Sequence, residues 1–69
     1  MALLRRGTVS SEVRELQQNL NQIQKPIPLL ATDSIFGPKT EAAVRSFQKE
    51  ARLDVDGIVG PKTQEAIRS

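Results

Sequence analysis

The chain has 69 residues, ten Lys and Arg against eight Asp and Glu, a net charge of +2, and neither Cys nor His. A chain of this length is one domain at most and buries only about 60% of its surface on folding, which leaves little room for a deep catalytic cleft. Without Cys and His there are no disulfides, no thiolate or imidazole metal ligands, no Cys nucleophile and no imidazole base.

Residues 1–9 read as an approach segment, with Leu3, Leu4 and Val9 as apolar anchors and Gly7 as a turn. Its first residues lack the apolar core of a signal peptide, and no run in the chain approaches the length of a membrane span. Ser10 or Ser11 can cap a helix, because a Ser hydroxyl accepts an otherwise unpaired first-turn N–H; Glu12 and Glu15 suit the positive helix end. Val13, Leu16, Leu20 and Ile23 follow at helical spacing and predict a helix over about 11–24. Its other face, Arg14, Gln18, Asn21 and Gln22, reads as a solvated surface. Pro26 and Pro28 stop this helix. Residues 25–35 then form a connection in which Ile27, Leu29 and Leu30 are expected to cover the core.

Gly37-Pro38 starts the second helix, since proline at the first helical position lacks only an N–H that had no partner there. Thr40, Ala43, Val44, Phe47 and Ala51 mark its inward stripe over about 38–51, with Glu41 and Arg45 spaced to pair on the surface. Leu53 and Val55 lead to a second Gly-Pro start, Gly60-Pro61, and a short third helix with Ala66 and Ile67 facing inward. The expected core is Val13, Leu16, Leu20, Ile35, Val44, Phe47, Leu53, Ile58 and Ile67.

The stretch from Asp33 to Ser46 recurs from Asp56 to Ser69 with nine of fourteen positions identical. Two Asp-x-Ile-x-Gly-Pro-Lys-Thr units result, too few for a solenoid. Each Asp can accept N–H groups of its own turn, the glycines permit unusual φ, and each Thr can tie its loop to the following helix. These roles are architectural. Two helix starts held side by side would also offer free N–H groups and partial positive charge to a carboxylate or carbonyl ligand. On that reading the ligand-binding residues are Asp33, Ser34, Phe36, Gly37, Thr40, Asp56, Gly57, Ile58, Gly60 and Thr63. A calcium loop around Gly57 is excluded, because Arg52 and Thr63 would occupy positions that need acids.

In order, the chain contains Leu4-Arg5-Arg6-Gly7, Val13 with Leu16-Gln17, Asp33 to Thr40, Ala43-Val44 with Phe47-Gln48, and Leu53 through Asp56-Gly57-Ile58-Val59-Gly60 to Thr63. This ordered set resembles the type 1 peptidoglycan-binding domain, a three-helix module of bacterial and phage cell-wall hydrolases. Ser10, Ser34 and Arg52 stand where that family often has glycine, and the Lys25 to Thr32 connection lacks its frequent Gly-Tyr element. The resemblance implies an all-α three-helix bundle that binds peptidoglycan without catalysing anything. It further implies a covalently linked hydrolase domain of endolysin or autolysin type and a setting in the bacterial envelope, periplasm or wall, or in phage lysis.

With no Trp, no Tyr and two Phe, there is little aromatic surface for sugars, so the stem peptide is the expected ligand. No cofactor, metal, membrane or nucleic acid is expected as a partner, and the module should be a monomer. The competing readings are a helix-turn-helix DNA binder, opposed by the absence of basic clustering, and an interaction or pro-segment module built on the same fold. The stop before any third-helix counterpart of Phe47 leads to the expectation of a module cut from, or preceding, something larger.

Overall fold

Ser10 does what its hydroxyl suits it for: Oγ accepts the Val13 N–H at 3.3 Å, and helix α1 (Ser11–Ile23) begins. The computed structural model describes residues 3–68; Met1 and Ala2 of the approach segment and Ser69, the last residue of the second repeat, lie outside them. Helices α2 (Pro38–Glu50) and α3 (Pro61–Arg68) follow, each opening on its proline, and no strand occurs among the described residues. The chain is thus all-α, as expected.

The first two helices end one residue before their expected ranges, at caps Gln24 and Ala51, because the residue after each cap turns left-handed. Lys25 has φ 47 and Arg52 φ 60. After α2 this completes a Schellman motif: Leu53 N–H bonds the Gln48 carbonyl at 2.8 Å and Arg52 N–H bonds that of Lys49 at 3.2 Å. After α1 the same closure is unavailable, since Pro26 has no N–H to give. The Lys25 N–H bonds Leu20 O at 3.2 Å instead.

The approach segment is a strap that joins both loops. Leu4 and Val59 exchange N–H···O bonds of 3.1 and 2.8 Å, Gly7 N–H reaches Phe36 O at 3.0 Å, and Phe36 N–H reaches Thr8 O at 2.9 Å. Phe36 and Val59 occupy equivalent positions of the repeat. In extended backbone successive side chains face opposite ways, so pairing with the strap settles which loop residue goes inward. Phe36 is 1% exposed and Val59 fully buried, whereas Ile35, expected in the core, is 50% exposed and Ile58 half-buried.

Around them pack Leu4, Val13, Leu16, Leu20, Leu30, Ala43 and Val44, with Phe47 and Ile67 partly buried against the cluster. Leu53 is half-buried beside the second loop. Two expectations for the connections are corrected. Leu3 and Val9 are exposed, leaving Leu4 as the strap's anchor. Ile27 is 98% exposed and Leu29 is also exposed, so only Leu30 covers the core. Asn21 causes this: its Oδ1 accepts Leu30 N–H at 2.8 Å and its Nδ2 donates to Leu30 O at 3.0 Å, drawing that one residue in. Asn21 is therefore not part of a solvated row. Glu41 pairs with Arg6 at 3.6 Å and not with Arg45, which lies over Gly57.

Truncating a fully buried aromatic costs roughly 3 to 5 kcal/mol. Phe36→Ala should therefore lower the urea midpoint more than Phe47→Ala, whose ring is only partly enclosed. Equal shifts for the two variants would contradict this packing.

Candidate functional site

The two loops hang from two buried glutamines. The two N–H groups of Gln17 Nε2, on α1, are shared among Asp33 Oδ1 at 3.1 Å, Ile35 O at 2.9 Å and Thr40 Oγ1 at 3.1 Å, while its Oε1 accepts Ser34 N–H at 3.1 Å. Gln48 of α2 repeats this on the second loop. Its Nε2 donates to Asp56 Oδ1 at 2.9 Å, Ile58 O at 3.0 Å and Thr63 Oγ1 at 3.3 Å, and its Oε1 accepts Gly57 N–H at 3.0 Å. Each aspartate also takes the N–H two residues on, Ile35 at 3.0 Å and Ile58 at 2.9 Å. Both amides are about 1% exposed, and no buried side-chain polar atom among the described residues lacks a partner.

The amide orientation follows from the partners. Turned over, the carbonyl oxygen would face a carboxylate, a carbonyl and a hydroxyl, and the NH2 would face a backbone N–H. The N–H of Ile35, and then the Gln17 amide, hold the Asp33 carboxyl below the usual carboxylate range; for Asp56 the N–H of Ile58 and then Gln48 do the same.

Ser34 and Gly57, the residues after the two aspartates, both have positive φ, 68 and 72. At Gly57 a Cβ would come within 3.1 Å of Arg45 Nε and Glu41 Cγ, so those two side chains would have to shift by a few tenths of an ångström, and it is φ that favours glycine there. Gly37 caps α2 from extended backbone.

An open cleft of about 600 Å³ lies beside the second loop, lined by Leu3, Arg52, Leu53, Asp54, Asp56, Ile58, Gly60, Pro61, Lys62 and Thr63. It gathers Asp56, Ile58, Gly60 and Thr63 of the expected ligand-binding residues, and none of Asp33, Ser34, Phe36, Gly37, Thr40 or Gly57. Within it Thr63 is buried and bonded to Gln48, whereas Asp56 is exposed and uses Oδ1 for the loop. Leu3, Arg52 and Leu53 lie outside the repeat, and Lys62, inside it, is not among the expected ligand-binding residues. The glutamine clamp leaves a trace: Val13-x-x-Leu16-Gln17 and Val44-x-x-Phe47-Gln48 are one pattern. Among the described residues no group of three or more Asp, Glu, Cys or His could hold a metal ion, and no helix is long and apolar enough to cross a membrane.

The family described as putative peptidoglycan binding domain matches residues 9–67. The chain belongs to that family. Solved structures agree with the assignment of fold. This peptidoglycan-binding-family domain is 33% identical to the SleB N-terminal domain, with a TM-score of 0.87 over 97% of this chain and 89% of that one. It is 38% identical to a peptidoglycan-binding protein from Clostridioides difficile, solved with glutamine hydroxamate, at a TM-score of 0.88 over 96% of this chain and 40% of that one. To a fused Zn-dependent amidase/peptidase/peptidoglycan-binding domain-containing protein from Clostridium acetobutylicum it is 28% identical, with a TM-score of 0.86 over 99% of this chain and 29% of that one. The chain thus spans less than half the length of the last two. No curated protein sequence matches it.

Two predictions follow from the clamps. Gln48→Glu keeps the shape of the side chain but places a buried oxygen against Asp56 Oδ1 and Ile58 O, and should destabilise the domain by roughly 3 kcal/mol or more at neutral pH. Urea unfolding of the variant measures it, and a midpoint equal to the parent's would refute the clamp. The second concerns acid. A carboxyl held below its unfolded value, about 3.9, adds stability above that pH, and this is lost as pH falls through the folded pKa. Asp33→Asn with Asp56→Asn should flatten the fall in stability below about pH 4, measured as the melting temperature across an acid series.

Proposed function

We propose that this domain grips peptidoglycan in the cleft beside its second loop, by the stem peptide and not the glycan strand. The family match over residues 9–67 carries peptidoglycan as the ligand, in a cell-envelope setting. The make-up of the cleft favours the peptide. Leu3, Leu53, Ile58 and Pro61 give it apolar surface, and Arg52, Lys62, Asp54 and Asp56 supply charge of both signs. A sugar chain calls for aromatic faces, but Phe36 is enclosed and neither Phe lines the cleft. At its edge the start of α3 adds a partial positive charge that suits carboxylates and carbonyls.

Asp56, Ile58 and Gly60 then contribute on the ligand side, while Asp33, Ser34, Phe36, Gly37, Thr40, Gly57 and Thr63 hold the frame through the two glutamines and the strap. The domain itself acts as a monomer and has no catalytic role, serving to keep a linked hydrolase at the wall. The fused amidase/peptidase from Clostridium acetobutylicum supports that arrangement. A DNA-binding reading finds no basic cluster to rest on.

Lys62 lines the cleft, is exposed and takes no part in either clamp. Lys62→Glu should weaken co-sedimentation with purified sacculi about fivefold at low salt while leaving the circular dichroism spectrum unchanged. Undiminished sedimentation would move the site to another face. The same incubation should release no soluble sugar or peptide beyond that from a boiled sample.

A further inference from the structure

Arg52 occupies a position where its own side chain is a disadvantage. With φ 60 it is the left-handed residue of the Schellman motif that closes α2, and both bonds of that motif come from backbone N–H groups. Glycine makes the same bonds without the steric conflict that a Cβ brings there. Among the described residues its side chain makes no hydrogen bond or ion pair that would offset this. Arg52 is exposed, and its guanidinium forms no ion pair with Asp54 or Asp56. What it does is line the cleft, across an apolar surface of Leu3, Leu53, Ile58 and Pro61.

We propose that Arg52 is a specificity residue of this cleft, reading a free carboxylate on the peptide ligand; the assignment rests on the cleft being the wall-binding groove. A guanidinium presents two parallel N–H donors that match a carboxylate, and beside apolar surface such a pair is less screened than in open water. Lys62 lines the same cleft and adds a second positive charge. A peptide whose end is free would then be held better than one whose end is amidated or joined in a cross-link.

The fold supplies its own control. Lys25 is the equivalent left-handed residue after α1, with φ 47, and it does not line the cleft. Arg52→Gly and Lys25→Gly remove the same charge and relieve the same conformation, so each should raise the melting temperature by about 4 °C. Only Arg52→Gly should weaken co-sedimentation with sacculi, by about tenfold. In parallel, an acetylated tripeptide ending in D-Ala-D-Ala should shift the NMR signals of cleft residues more strongly than its C-terminal amide. A thermally stabilised Arg52→Gly that sediments like the parent, or an amide that binds as well as the acid, overturns the carboxylate assignment and leaves wall binding intact. A parent that fails to sediment with sacculi overturns both.

Discussion

A primary amide buried under each loop is the constraint on which this small fold depends. Gln17 and Gln48 each satisfy a backbone N–H, a backbone carbonyl, a carboxylate and a hydroxyl at once. Loops in so small a domain would otherwise present those groups to a core that cannot solvate them. With the amides in place, irregular backbone is nearly as well satisfied as a helix. The core can then take in residues from outside the helices, Phe36 and Val59 among them, beside those of α1 and α2.

The two clamps are not independent. Helix α2 closes the first loop with Thr40 near its start and holds the second with Gln48 near its end, and the strap bonds to both loops at once. In a solenoid each unit contacts only its neighbours and stability adds unit by unit. Here the middle helix is shared, so losing either loop removes a wall of the other. The repeat therefore produces one cooperative unit.

Much of this was legible in the sequence. Ser10 before an apolar-periodic run, and Gly-Pro at 37–38 and 60–61, gave the helix starts because capping and proline geometry are local. The roles of the Asp and Thr residues of the loops as fastenings were likewise readable from turn chemistry. What local pattern could not supply was the choice between neighbours. Whether Ile35 or Phe36 turns inward depends on pairing with Thr8, far away in sequence. Gln17 looks like any helical amide until Asp33 and Thr40 are brought to it. The cleft was missed for the same reason, since Leu3, Arg52 and Lys62 meet only in the folded chain.

The two clamps also differ in how much chain they enclose. Asp33 lies 16 positions after Gln17, but Asp56 only 8 after Gln48, and the same bonds form in both. Doubling a closed loop adds only about 0.6 kcal/mol of entropy cost; half of the surplus in the first unit is the longer run of α1 beyond Gln17, and the rest lies in the connection that carries exposed Ile27 and Leu29. The glutamine thus specifies where a loop must return and leaves its length open. Residues 25–29 are where a lineage can insert, delete or rewrite sequence, and so acquire a new surface, without disturbing the frame beneath it.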